Sequence, residues 1–383
     1  MVPPPPPAEP QKTEPVGRLT TGERYRLQTW FLGILAFATI LVMLVQARFI
    51  LVSLVFAIIL FSLTTDAINS IARLKIGSWR ITNWLASVAA FALIAGGLFT
   101  LTGLIVAQVN TVVTQTLAFS DQAVAALGRL AASFGPDAEA AVIASIRSVD
   151  LSGWLRTAAG QAGNLVSGAT LVILFVGFLF GERLFFNTKL ENLMGDRAAA
   201  QRIGRIIRSI IRRINHYLIV KTLVSVVTAL AVWAVMVGFS LEFATAMAIL
   251  TFVFNYIPSV GSIIATLIVA LVAYLQVPEP SFGLLILVIV GMIQFILGSV
   301  IDPMLMGRAL RVSAFGIIMS LAFWGFVWGV PGAFLAVPIL VTTMIVCSHI
   351  PSARPVAILI SREGLPEFED DDPVAEPLRR AAE

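Results

Sequence analysis

Charge is scarce in this chain. Asp, Glu, Lys and Arg make up 13% of its 383 residues, against roughly 25% in an ordinary soluble domain. Apolar residues reach 58%, too many for one globular core, which excludes a soluble enzyme and, outside the chain ends, disorder. There is one cysteine, Cys347, and there are two histidines, His216 and His349. A lone cysteine excludes a disulfide framework, and this set is too small for a multi-ligand His/Cys metal site, so neither metal nor cofactor is expected. No Walker loop, catalytic-triad spacing or zinc motif occurs, so the chain does not read as an enzyme. The 26 basic and 22 acidic residues leave a net charge of +4. The basic residues sit in short segments between apolar runs, which is not a nucleic-acid signature.

What remains is a polytopic all-α integral membrane protein. About 20 apolar residues cross a bilayer, and runs near that length occur at 28–46, 49–64, 84–107, 163–181, 215–238, 243–275, 282–300 and 313–347, giving about eight transmembrane segments. Residues 1–27 open with the proline run Pro3–Pro7 and read as a disordered arm. Three spans fill 28–107, an Ala-, Gln-, Ser- and Thr-rich helical cap is expected over 108–162, and a span at 163–181 follows. Residues 182–213 carry eight basic residues, with Ile203, Ile206, Ile207, Ile210 and Ile211 on one helical face and Arg202, Arg205, Arg208 and Arg212 on another. That is a basic amphipathic helix, placed at the anionic inner leaflet by its charge. A transmembrane core covers 214–347, and the polar, acidic tail 348–383 includes Glu367–Asp372. The positive-inside rule puts 65–83, 182–213 and both termini in the cytoplasm and 108–162 outside.

The chemistry is expected where charge is least. No Lys or Arg occurs between Lys221 and Arg308, and the acids there are Glu242, Glu279 and Asp302. Polar groups inside apolar runs are costly and face a pathway or a bundle interior, which singles out Asn255, Gln294, Ser299 and Asp302. Lys221 reads as a lysine that snorkels to the inner surface. The run 243–275 is broken by Asn255-Tyr256-Ile257-Pro258-Ser259-Val260-Gly261, and 313–347 is broken at Gly329-Val330-Pro331-Gly332, with Pro338 beyond. Proline removes a helical hydrogen bond and glycine permits other torsions. The freed backbone is tolerated in a membrane only where protein or a wet cavity satisfies it. A shift of 72 residues aligns the two runs (Phe243 with Phe315, Met247 with Met319, Phe254 with Phe326). Each is preceded by one span, so the pair is expected to form two hairpins of inverted topology with the site between them. The pathway candidates are Asn255, Tyr256, Pro258, Ser259, Gly261, Ser262, Gln294 and Ser299. Asp302 is the ion-coupling candidate. The hinge candidates are Pro258, Gly261, Pro303, Gly307, Gly329, Pro331, Gly332 and Pro338.

Four blocks carry a family resemblance: YLIVKTLVSVVTAL (217–230), FNYIPSVGSIIA (254–265), IDPMLMGRALRVS (301–313) and FWGFVWGVPGAFLAVPIL (323–340). In that order they resemble the autoinducer-2 exporter family of permeases, over roughly residues 25–350. Where the family often carries Asn-x-x-Glu-Pro, this chain has Ser299-Val300-Ile301-Asp302-Pro303. The resemblance implies a transporter of the bacterial cytoplasmic membrane with about eight spans. It implies either export of a small polar solute such as a furanone-type quorum signal or, as the alternative, sodium/proton exchange. The implied partners are therefore the lipid bilayer and a small polar solute or monovalent cation, and the family also implies a homo-oligomer.

Overall fold

The computed structural model describes residues 21–73, 83–132, 151–277, 279–306 and 312–362, with isolated positions between 135 and 145 and at 364. Gly307, Arg308, Arg311, the proline run and the acidic run lie outside the described residues. Apart from short turns the described residues are helical, and the β contact among them is a single antiparallel bridge between Val312 and Ser361. Among the described residues, seven helices are long and apolar enough to cross a bilayer.

The chain divides into two units, 1–48 and 49–383. The first contains α1 (Thr21–Gln46), whose helix begins ahead of the apolar stretch Gln28–Gln46. That stretch of 19 residues rises about 28 Å at 1.5 Å per residue, close to the hydrocarbon thickness of a bilayer.

The second unit starts with α2 (Arg48–Arg73), α3 (Asn83–Ala132) and α4 (Leu151–Glu182). Ala57 of α2 and Val172 and Val176 of α4 pack in one cluster, flanked by Phe56, Phe91 and Phe180. The region expected as a separate cap is largely an extension of α3, which runs 50 residues without a break, and of α4, which begins at Leu151. No proline interrupts the sequence between Asn83 and Pro136, and its Ala-rich composition sustains helix past Gly96, Gly97, Gly103 and Gly128.

After α4 a 3-10 turn (Arg183–Phe185) leads to α5 (Phe186–Met194). Gly195 ends α5 at φ 64°, a left-handed position suited to glycine. Asp196 then caps α6 (Arg197–Gly238), its carboxylate accepting from the backbone amides of Ala198 at 3.0 Å and Ala199 at 3.1 Å. The basic amphipathic segment is therefore not a helix apart. It is the first part of a 42-residue helix that runs on into the span as one rod about 63 Å long.

Two hairpins follow. In the first, α7 (Ala244–Phe254) and α8 (Val260–Gln276) are tied at their open end. The Gln276 side chain accepts from the Glu242 amide at 2.6 Å and donates to the Glu242 carbonyl at 3.2 Å. The tip is Asn255–Ser259, with Ser259 at φ 58°. In the second, α11 (Ala314–Trp328) and α12 (Val330–His349) turn about Gly329, at φ 68°. They are pinned by Ser320 Oγ donating to the Ala336 carbonyl at 2.8 Å. Its open end lies where Ser313 donates to the Ile360 carbonyl at 2.8 Å, just after α13 (Arg354–Ile360).

Both tips close tightly on glycine. A Cβ on Gly261 would sit 1.8 Å from the Phe254 carbonyl oxygen, and one on Gly332 would sit 1.9 Å from that of Trp324. Only a residue without a side chain lets the second helix start against the last turn of the first.

Between the hairpins, α9 (Pro280–Phe295) passes through a π segment (Ile296–Ile301) into α10 (Asp302–Met306). This assembly is a continuous 27-residue rod, longer than the span expected at 282–300. The core of the second unit is built by α6, the first hairpin and α9, where Val232, Met236, Met247, Val269, Ile286 and Val290 are buried together.

Candidate functional site

The site grows from one face of α6. Asn215, Lys221, Ser225 and Thr228 recur at helical spacing and are all buried, forming a polar stripe on a helix whose surroundings are apolar. Thr228 Oγ1 donates to the Val224 carbonyl of the same helix at 2.7 Å, while the other three members each reach a different element. Asn215 Oδ1 accepts from Ser62 Oγ of α2 at 2.8 Å. Ser225 Oγ accepts from Asn255 Nδ2, at the tip of the first hairpin, at 3.1 Å. Beside the stripe, the Thr222 hydroxyl shares a 2.7 Å hydrogen bond with the Tyr256 hydroxyl.

Lys221 Nζ lies 2.6 Å from Asp302 Oδ2, and both residues are buried, at 5% and 7% exposure. The expectation that Lys221 snorkels to the inner surface is thus corrected. The carboxylate at the start of α10 neutralises the ammonium in place, so the lysine stem does not have to carry it to water. Asp302 stands within the rod, which continues through it to Met306. In the bilayer interior a lone charge is expensive, and each member of this pair removes the penalty of the other.

The two hairpins meet at their tips. Tyr256 stacks on Phe334 of α12, with ring centroids 4.3 Å apart and planes 27° apart. Phe334 in turn contacts Phe56 of α2 at 5.2 Å. Pro338, buried inside α12, cannot donate the helical bond that the Phe334 carbonyl would otherwise accept. The result is a mid-chain junction of aromatic rings over a polar stripe, bounded by both broken helices.

Several buried polar atoms of the second unit have no hydrogen-bond partner among the described residues: the hydroxyls of Tyr217 and Thr251, both amide atoms of Gln294, and Asp302 Oδ1. Buried polar groups are ordinarily paired, and Gln294 is the residue here with both side-chain atoms left unpaired. Gln294 is eight residues before Asp302 on the same rod, so the two are about 12 Å apart along its axis.

The sequence-derived candidates thus divide. Asn255, Tyr256, Gln294 and Asp302 are buried. The first two are tied to α6, and Asp302 is tied to it through Lys221. Gly261 and Gly332 shape the tips. Ser262 spends its hydroxyl on the Ser259 carbonyl at 3.1 Å, a local turn contact. Pro258 is half-buried, whereas Ser259, Ser299, Pro303, Gly329 and Pro331 are exposed. Residues missed at the sequence level are Tyr217, Lys221, Ser225, Thr222 and Phe334. The available signal was the charge pattern, since Lys221 precedes, and Asp302 lies within, the stretch 222–307 that holds no Lys or Arg.

The comparisons with known proteins agree with this architecture. The sequence profile of the AI-2E family transporter matches residues 32–352. A Borreliella burgdorferi protein with the provisional name of a transport protein is 30% identical over 54% of this chain and 58% of its own length. The AI-2 transport protein TqsA of Escherichia coli K12 is 31% identical over 52% of this chain and 57% of its own length. In neither case does the chain cover two thirds of the relative. The profile match spans most of the chain, through both hairpins and the rod between them, and on that extent the chain belongs to the AI-2E family of membrane transporters.

Proposed function

We propose that this protein is a secondary transporter of the bacterial cytoplasmic membrane. In this reading it exports a small polar organic solute, such as the furanone-type quorum signal that the family resemblance implies, through the junction of the two hairpin tips; TqsA is named as an AI-2 transport protein. The observation that carries the reading is the unpaired, buried amide of Gln294 in the same bundle as the tips, where Tyr256 and Phe334 meet. Broken helices that offer hydrogen-bonding groups in mid-membrane are a recurrent way to bind and release a solute. The shared glycine closure of the two tips supports treating them as inverted repeats. Counting each hairpin once then gives eight membrane segments, with both termini in the cytoplasm. A homo-oligomer is part of the same proposal.

Cation/proton exchange is the less favoured reading. Asp302 would be its coupling carboxylate, yet Lys221 stands 2.6 Å from it and supplies the positive charge that a bound cation would have to replace. The test is counterflow of labelled solutes, the furanone signal among them, by the purified protein in liposomes. Gln294→Ala should lower the rate at least tenfold without changing the amount of folded protein. Unaltered transport by Gln294→Ala and Asn255→Ala would remove the junction from the pathway.

A further inference from the structure

The amino-terminal part of α6 presents an unusual surface. Around its axis Arg197, Arg202, Arg205, Arg208 and Arg212 fall on one half, and Ile203, Ile206, Ile207 and Ile210 fall on the other, at 100° per residue. The arginines of this half are exposed, and the stretch 197–213 contains no acid at all. Arg197 lies 3.9 Å from Glu191. Arg202, Arg205 and Arg208 have no acidic partner among the described residues. Because α6 is one rod, this face continues along the axis of the span, with Arg202 about 30 Å and Arg197 about 38 Å from Thr222 along it.

An acid-rich segment begins close by in the chain. The last described residue is Gly364, and Glu367, Glu369, Asp370, Asp371 and Asp372 follow. The chain arrives there from Ser361, which bridges Val312 at the open end of the second hairpin. That end belongs to the same end of the bundle as the arginines. The tips meet at the height of Thr222, and α11 carries 15 residues from the tip to the open end, a descent of about 22 Å. On α6 the same descent from Thr222 reaches Arg208 and Arg205.

We propose that the segment Glu367–Asp372 docks on the arginine face of α6, making an ionic clasp between the carboxyl-terminal tail and the amino-terminal half of the central helix. Glu367, Glu369, Asp370, Asp371 and Asp372 supply five acids for a face on which Arg202, Arg205 and Arg208 have no acidic partner among the described residues. Contacts of this kind are weak one by one and strongly screened, so the clasp is one that salt opens.

The test is cross-linking within the full chain on a Cys347→Ser background, reconstituted in neutral-lipid nanodiscs. Ser209→Cys sits on the arginine face and removes no charge, Ile203→Cys sits on the opposite face, and each is paired with Glu369→Cys. The clasp predicts a cross-link within one chain for the Ser209 pair at least fivefold above the Ile203 pair at 50 mM salt. At 500 mM salt, or with Asp370, Asp371 and Asp372 changed to Asn, that excess should disappear. A chain truncated after residue 364 should also exchange amide or side-chain label on 197–213 faster than the full chain. Equal yields on both faces, a salt-independent cross-link, or a product of two joined chains would overturn the proposal. So would a truncation that leaves exchange unchanged while anionic lipid slows it, which would assign the face to lipid.

Discussion

At the scale of single residues the decisive contact is Lys221–Asp302. A buried ion pair is not by itself a source of stability, because both charges lose water. What it does is make each member indispensable to the other. Removing one leaves an uncompensated charge in a low-dielectric bundle, at a cost of about 3–5 kcal/mol, whereas replacing both by apolar groups of similar volume is about neutral. Lys221→Met and Asp302→Leu should therefore each lower the unfolding midpoint in detergent sharply, and the double variant should recover most of the loss. Additive losses in the double variant would mean the pair contributes nothing as a pair. The sequence made Asp302 visible but misread Lys221, because burial is not written locally. A lysine six residues after Asn215 looks snorkelled until a carboxylate 81 positions away is found beside it. Gly261 and Gly332 were legible for the opposite reason: a glycine next to a proline-bearing break has local meaning, and each proves to be the position where a side chain would strike a carbonyl.

At the scale of elements, periodicity and breakers located most helices, and the two Pro/Gly breaks became real turns. Two things could not be read. One is continuity: α6 and α3 run through polar boundaries that hydropathy treats as ends. The other is the π segment Ile296–Ile301, which has no sequence signature of its own. A π turn holds one residue more than the α-helix it interrupts, so it sets the rotation of everything after it. Here it lies between Gln294 and Asp302 and determines which face of the rod each presents. Deleting the exposed Ser299 should remove that surplus residue, convert the segment to plain α-helix and leave Asp302 facing Lys221, whereas deleting Ser299 and Val300 together should turn Asp302 by about 100° away from it. The double deletion is expected to lose stability comparably to Lys221→Met, and adding Lys221→Met to it should cost little more, since the pair is already broken. Equal unfolding midpoints for the single and the double deletion would show that the π turn does not set the rotation of the carboxylate.

At the scale of the whole molecule, the scarcity of charge determines orientation as well as location. Basic residues concentrate in the amino-terminal half of α6, and the positive-inside rule predicts that end of the bundle to be cytoplasmic. The contacts then propagate the assignment. The first hairpin is closed by Glu242 and Gln276 at the far end of α6, and the rod from Pro280 to Met306 returns to the level of Lys221. The second hairpin is closed by Ser313 and Ile360 beyond that return. The open ends of the two hairpins should therefore face opposite compartments, as an inverted repeat requires. Single cysteines on a Cys347→Ser background test this with a membrane-impermeant maleimide. Glu279→Cys, at the open end of the first hairpin, should react in intact cells, as should Ser145→Cys beyond α3. Arg362→Cys and Ser209→Cys should react only after the membrane is opened. Labelling of Glu279→Cys and Arg362→Cys from the same side would mean that the hairpins are parallel. The site would then have to be sought along α6 and not between the tips.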